Sequence, residues 1–519
     1  MKRGLILVIV LFLTACTTSK NQALDQLNEV AEEIAVAELL EEDILLPQTE
    51  KYGVLISWES NREEILSTDG KIFPTEQDEE VILTAKLSLE NQEITKVFHV
   101  IVKGVKKPIE NINFTGEYQY QIAEEKAALF PYYKGHTYAG LYTKDGQEHK
   151  EFTPNETTGS TLSVKLFGAK ADDEGFDNTP AFQKAITAAK PGDEIFVPAG
   201  KYYFHTAAIT SPYYAHIYLK PGVNLRGAGE DKSILISSFQ NKEYVDKSIG
   251  KKTATLACGN GSSCTISSLG FTANTDDSCL PPDYNDTKVN NPEGNQYAPA
   301  FGIVVYNTSL ATLTQNIYIH NVHISYFQYD GIRLYCTRNC KISDSIITKA
   351  TDIGGGGAGY GIEIRGYGHE YFKYVDTRLD SCYNIVEGVQ VIGPYIRHGI
   401  ILSYVTHNNL FYNNQVLDSA DDAFDVHGQD EFLNVFSKNY AYGSRRGAGL
   451  GLGNTGSSHD ESGYGNVLYQ NVFENCKYGV TVARGTQYTQ VIENTIRGCT
   501  YGVYINNGPN TFQKNNITE

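Results

Sequence analysis

Gly331-Ile-Arg-Leu-Tyr335, Gly361-Ile-Glu-Ile-Arg365, Gly399-Ile-Ile-Leu-Ser403, Ala423-Phe-Asp-Val-His427, Gly449-Leu-Gly-Leu-Gly453, Gly479-Val-Thr-Val-Ala483 and Gly502-Val-Tyr-Ile-Asn506 share one frame: a small residue, then apolar, variable, apolar, variable. Their starts are separated by 30, 38, 24, 26, 30 and 23 residues, with Asn, Gly and Cys between them and no helical periodicity. Self-similarity at this period, carried by a two-residue alternation, is the mark of stacked β-coils. The C-terminal part of the chain is therefore expected to be all-β, a solenoid in which each frame is one rung of a parallel sheet.

Strand side chains alternate between faces, so the second and fourth positions of each frame should fill the core while the third and fifth face outward. Down successive coils the outward positions hold Arg333 and Tyr335, Glu363 and Arg365, Ile401 and Ser403, Asp425 and His427, then Gly451 and Gly453. The two positions before a frame add Arg397 and His398 on one coil and Asp421 and Asp422 on the next. Charge gathers on the middle coils and vanishes after them, which a merely solvated face has no reason to do. With rungs about 4.8 Å apart, Arg365, Arg397, His398, Asp421, Asp422, Asp425 and His427 are expected to converge.

A chain of 519 residues exceeds one ordinary core, so two or more domains are expected. Its net charge of −18 argues against nucleic acid or an anionic membrane surface as the main partner, although local basic clusters can still hold an anionic sugar. The 36 tyrosines and 48 glycines suit a strand-and-turn protein whose surface meets carbohydrate.

Met1-Lys-Arg, the apolar run Leu5–Leu13 and the ending Leu13-Thr-Ala-Cys16 make an export signal too short to span a bilayer. The ending resembles a bacterial lipobox, which implies cleavage before Cys16, a lipid on its sulfur and anchoring to the cell membrane, facing the periplasm or the outside. Residues 17–44 are acidic and helix-prone and are expected to begin as a tether. Over 45–104 come Gly53-Val-Leu-Ile-Ser-Trp58, Val81-Ile-Leu-Thr-Ala-Lys-Leu87 and Val97-Phe-His-Val-Ile-Val102, with the turn Ser67-Thr-Asp-Gly-Lys71 between the first two. This segment resembles the atypical bacterial immunoglobulin-like domain, which implies a small β-sandwich serving as spacer or adhesive module.

Residues 105–160 are polar and Tyr-rich and are assigned as a connector. From 161 to 519 the pattern begins with Val164-Lys-Leu-Phe-Gly-Ala-Lys-Ala-Asp-Asp, a helix expected over Thr179–Ala189 with Pro180 in its first turn, Gly192-Asp-Glu-Ile-Phe-Val-Pro-Ala-Gly200 and Leu219-Lys-Pro-Gly-Val-Asn-Leu-Arg-Gly-Ala-Gly229. With the seven frames, these residues resemble the pectate-lyase-like superfamily, which implies a right-handed parallel β-helix plugged by an N-terminal capping helix. Residues 274–298 break the rhythm as a long loop. Eight cysteines follow Cys16, and a mixture of disulfides and buried thiols is expected, with Cys476 and Cys499 stacked on adjacent coils. His136, His320, His369, His407 and His459 are expected in turns or on the surface.

A charged cleft on an exported β-helix suits an acidic polysaccharide. β-Elimination from a uronide requires neutralising the C6 carboxylate, removing the C5 proton and protonating the leaving O4. Arg365, Arg397 and Arg445-Arg446 can serve the first task, with Arg333, Glu363, Arg365, Arg445 and Arg446 as substrate-binding candidates, while His398, His427 and nearby tyrosines can serve the others. Asp425-Val-His427 resembles the Asp-x-His motif of mannuronan C5-epimerases, and Arg397-His398-Gly399 resembles their Arg-His-Gly segment. The resemblance implies proton transfer at His427 and His398, carboxylate binding at Arg397 and orientation of His427 by Asp425. Here Val426 replaces the motif's proline and the coil order is reversed. Asp421-Asp422 resembles one of four polygalacturonase elements; His398, Ala448, Thr481 and Ala483 stand where the other three require different residues. Glu363 and Asp425 leave a non-standard hydrolase open, being two rungs or about 9.6 Å apart. Asp421 and Asp422 are candidate calcium ligands. The reading adopted is a polysaccharide lyase, with hydrolase, C5-epimerase and non-enzymatic glycan-binding adhesin as alternatives.

Overall fold

The computed structural model describes residues 22–103 apart from 38, 41–42 and 74–78, and residues 152–518 apart from 240–251, 309–311, 313, 356, 367–379, 428–430, 454–464, 484–485, 487–488 and 506–510. Cys16, His136 with most of the connector, His369 and His459 lie outside the described residues. The chain divides into two compact units, residues 1–111 and 112–519.

In the first unit Leu55–Ser60, Glu79–Leu89 and Gln92–Val102 pair antiparallel, and the short strand Leu39–Leu40 adds in parallel at the edge. The alternating apolar residues bury Val81, Leu83, Ala85 and Leu87 on one face. Trp58 lies 5.6 Å from Phe98 and donates its indole N–H to the Pro47 carbonyl. Leu66 and Ile72 bridge across the expected turn, where Gly70 has φ +83 and so occupies a region other residues enter at a cost. Residues 22–33 are helical and place Leu27 and Val30 in the same core as Trp58, so the tether reading does not hold for them. Their helix supplies the covering layer, and the described strands form one sheet rather than two.

The second unit is a parallel β-helix. One ten-stranded sheet stacks 214–218, 253–259, 301–306, 330–335, 360–365, 398–403, 424–426, 448–452, 478–482 and 501–505 in chain order, and a 21-stranded sheet closes the other sides. The seven frames occupy the last seven rungs. In the first six frames the second and fourth positions, such as Ile332 and Leu334 or Ile400 and Leu402, are buried, whereas in the seventh Val503 is half-buried and Ile505 exposed. Frame register is kept throughout: Arg333 pairs with Glu363, Glu363 with Ile401, Ile401 with Asp425 and Asp425 with Gly451. The small first residue has a steric cause, because a Cβ on Gly331 would stand 2.6 Å from Ile347 and 2.7 Å from the Gly361 carbonyl of the next coil.

The helix Thr179–Ala188 caps the first coils, with Pro180 in its first turn. Its Phe182 packs edge-on against Tyr202 and Phe204. Two asparagine ladders run up the opposite side: Asn384, Asn409, Asn434 and Asn466, and Asn414, Asn439, Asn471, Asn494 and Asn515. In each, the side-chain carbonyl accepts both the backbone and the side-chain N–H of the preceding asparagine. All eight cysteines from Cys258 to Cys499 are free thiols, so the expected disulfides do not form, although Cys476 and Cys499 do stack as neighbours. His407 is also corrected: it is 2% exposed, stacks on Phe432 and bonds Asp380 at 2.7 Å.

Candidate active site

The outward face of the ten-stranded sheet carries a cavity of about 860 Å³ over the rungs from 301 to 427. Of the residues expected to converge, Arg365, Arg397, His398, Asp425 and His427 line it and Asp421 and Asp422 do not, while the substrate-binding candidates Arg333 and Glu363 also line it. Its volume suits a ligand of a few rings.

Glu363 anchors the upper half. Its carboxylate meets Arg333 Nη2 at 2.5 Å, Ser403 Oγ at 2.5 Å and Arg365 Nη1 at 3.3 Å. Burial alone would raise this carboxyl, but the two guanidiniums and the hydroxyl outweigh it and hold it below the usual range. Arg333 also bonds Asp330, whose burial beside Glu363 pushes that carboxyl well above the ordinary value. One arginine thus lies between two buried carboxyls and only Glu363 is favoured as the anion. The Arg333 plane lies over Phe301 and that of Arg365 over Tyr404, each at 4.5 Å. Arg365 is the most accessible of the three cavity arginines, its side chain 32% exposed against 16% for Arg333 and 20% for Arg397.

The lower half holds the proton chemistry. His398 Nδ1 lies 3.3 Å from Asp425 Oδ2, and His427 Nδ1 lies 3.7 Å from the same oxygen. Burial, reinforced by Arg397 and His427, holds His398 well below the usual imidazole range, so its ring is neutral near pH 7. Tyr360 precedes the frame of the coil above, pairs in register with His398 and presents its ring edge at 5.3 Å. Burial raises the phenol, keeping it a proton donor. Arg397 is steered by Asp421 at 3.0 Å and by the Gly354 carbonyl at 3.1 Å.

Asp421 and Asp422 do not act as a pair. Asp421 is tied to Arg397 and Arg446, whereas Asp422 accepts the Ala448 N–H and groups with His398 and Asp425, their ligating atoms within 4.8 Å of one another. Burial and Asp425 push Asp422 well above the carboxylate range. One imidazole and two carboxyls offer fewer oxygen ligands than the roughly six to eight that calcium takes. Arg445 and Arg446 are likewise corrected. Neither lines the cavity; Arg445 holds Asp418 and the Tyr284 carbonyl, and Arg446 holds Thr287, so both clamp the 274–298 loop. Tyr360 and Asp330 are the residues added by the structure, and both stand at the pre-frame position that already yields His398; Ser403, already in the outward column, gains a role as a partner of Glu363.

Residues 161–409 match the family model of rhamnogalacturonase A/epimerase, pectate lyase-like, residues 301–519 match the right-handed beta helix region, and residues 20–105 match the atrophied bacterial Ig domain. The body of the chain is a pectate-lyase-like right-handed β-helix. No curated protein sequence matches the chain. Among solved structures, the A-module of a mannuronan C-5 epimerase from Azotobacter vinelandii is 15% identical over 69% of this chain and 95% of its own, with a TM-score of 0.38. An exopolygalacturonase from Thermotoga maritima is 12% identical over 69% and 94%, with a TM-score of 0.43. The surface protein and adhesin PfbA of Streptococcus pneumoniae is 14% identical over 69% and 99%, at 0.38. These likenesses concern the fold, and the chemistry of the pectate-lyase-like helix has to be argued from its own residues.

Proposed function

We propose that the protein is a polysaccharide lyase cleaving a uronic-acid-containing polysaccharide by β-elimination. The observation that carries this reading is Asp425 standing between His398 and His427, with Tyr360 against His398, in a cavity walled by arginines. Arg365 and Arg397 are suited to the substrate carboxylate and to the charge that develops on it once the C5 proton leaves. A neutral histidine takes that proton, and Tyr360 or the second histidine delivers one to the departing O4, so the atoms balance without an added water. No step is assigned to calcium in this reading, since the group of His398, Asp422 and Asp425 is poor in oxygen ligands. The same reading makes the protein an exported one, lipid-anchored through Cys16 and facing its polymer outside the cytoplasm.

The test incubates the protein with alginate, pectate, hyaluronan and chondroitin, with calcium and with EDTA, and follows the absorbance of unsaturated uronide. A rise on one polymer that survives EDTA and is lost in His427→Ala and Arg397→Ala supports the lyase; a flat trace on all four overturns it. A second reading rests on Asp422, a carboxyl favouring its proton close to Asp425, which is the disparity a glycosidase uses. New reducing ends without unsaturation would select it, and C5 inversion without cleavage would select the epimerase.

A further inference from the structure

The outward face of the β-helix differs at the two ends of the cavity. On the N-terminal side the rung 301–306 points Phe301, Val304 and Tyr306 outward, yet they are only 1%, 0% and 2% exposed. Tyr213 covers them, its ring 5.6 Å from Phe301 and 5.1 Å from Tyr306, and Tyr329 adjoins Phe301 at 6.3 Å. This is an aromatic wall across the path of any chain lying along the sheet.

Beyond Asp425 the described residues in these columns are small: Ala448, Gly451 and Gly453 on the next rung, with Ala448 and Gly451 buried, then Thr481 and Ala483 beside Tyr478. Then an aromatic platform rises. Tyr501 stacks on Tyr478 at 4.9 Å, Tyr504 lies 6.3 Å from Tyr478, and Tyr501 and Tyr504 are 52% and 42% exposed. Tyr504 continues the register column of Asp425, Gly451 and Thr481. Lys477 Nζ lies 5.4 Å from the Tyr478 ring, placing a cation beside the platform.

We propose that the polysaccharide enters end-first and that the enzyme acts from a chain terminus, an inference that rests on the lyase reading above. The terminal sugar abuts the wall at Tyr213 and Tyr329, which Phe301 backs from beneath. The polymer continues along the axis toward the C-terminal coils, and a sugar about three rungs, or ~14 Å, beyond Asp425 stacks on Tyr501 and Tyr504. Sugar rings present apolar faces to aromatic planes, Lys477 suits a uronate carboxylate, and the same register columns join this platform to the cavity.

The test uses the full chain, the polymer that responds above and its oligosaccharides of defined length. Chain-end action releases short products of one size from the first time points, while viscosity falls slowly relative to the unsaturation formed. Affinity should rise once an oligosaccharide is long enough to reach the tyrosines, and the Tyr501→Ala/Tyr504→Ala double variant should erase that rise, an increase in KM of about tenfold on long oligosaccharides. Tyr213→Ala, which opens the wall, should broaden the product sizes. An immediate broad ladder of products with rapid loss of viscosity, or a double variant with the length dependence of the wild type, overturns chain-end action alone. No turnover or C5 exchange on any uronide removes the lyase reading and this inference with it.

Discussion

Two histidines share one carboxylate at the centre of this site, and burial makes them unequal. His398 is 7% exposed and held neutral, so it can accept a proton throughout the neutral range without first losing one. Its protonation would leave a cation beside Arg397, which is why its acid limb should lie well below the ordinary imidazole value. Tyr360→Phe keeps the ring packing against His398 and removes only the hydroxyl. If the phenol is the acid, kcat should fall by a factor of about 10² to 10⁴ with KM little changed, as steady-state kinetics on the responding polymer would show; an equal rise in KM would make Tyr360 a binding group. His216, away from the site, bonds the Thr206 carbonyl and Ser237, and burial depresses it to about 4. The unfolded chain binds that proton from about pH 6.5 downward while the folded chain does not, so stability is full above pH 6.5 and declines toward pH 4. The loss attributable to His216 is about 3 kcal/mol, and pH-dependent urea melts of His216→Gln should show a correspondingly shallower decline. The sequence made most of this centre legible because alternation fixes which side chains share a face. Tyr360 and Asp330 were missed because the outward columns were followed back past the frame only on the two coils bearing His398 and Asp422. The Arg445-Arg446 pair misled for another reason: two adjacent charges say nothing about direction, and both reach sideways to the 274–298 loop.

At the scale of the element, ladders of buried amides tie each coil turn to the next. Asn439 donates to the Phe411 carbonyl at 2.9 Å and to Asn471 at 3.0 Å, and accepts both N–H groups of Asn414. It is 1% exposed, so no water replaces those partners when the amide is removed. Asn439→Ala strands several buried polar groups at once and should cost about 3 kcal/mol or more, read as a lower midpoint in urea unfolding. Asn→Ala at the exposed rim, as at Asn516, should cost far less, and equal losses at both positions would show that the ladder is not what holds the turn. Residues with positive φ precede these asparagines, Asn413 at 51°, Lys438 at 55°, Gln470 at 55° and Glu493 at 57° among them, so the left-handed turn and the ladder recur together. Asparagine between frames was visible in the sequence, but intervals that differ from coil to coil concealed that the same turn was being repeated. The first rungs escaped for a related reason. In the register of the sheet, His216 and Thr255 stand where later coils place glycine or alanine, and only Gly302 follows the frame.

At the scale of the whole β-helix, each coil is stabilised by the coils it touches, so stability varies along the axis. The N-terminal end is closed by the helix Thr179–Ala188, whose Phe182 and Ile186 are fully buried. The middle coils keep their inward residues at 0% exposure through Val480 and Val482, whereas Ile505 and Ile517 of the last coil are 43% and 53% exposed. Nearest-neighbour coupling then predicts that opening starts at that last coil and travels inward. In native-state hydrogen exchange, amides of 501–505 and 516–518 should exchange first, and those of 398–403 and 424–426, which carry His398 and Asp425, should exchange last. Phe182→Ala empties a buried aromatic site in the cap and should cost about 3–5 kcal/mol, moving the early-exchanging amides toward the N-terminal coils while leaving the order of the C-terminal ones intact. Uniform protection from 194 to 518, lost together in both proteins, would instead make the β-helix one cooperative unit. A gradient would mean that the reacting groups sit on the rungs least able to open, where Asp425 can hold two histidines on adjacent coils at fixed separation while the platform tyrosines, three rungs away, remain free to adjust to the incoming chain.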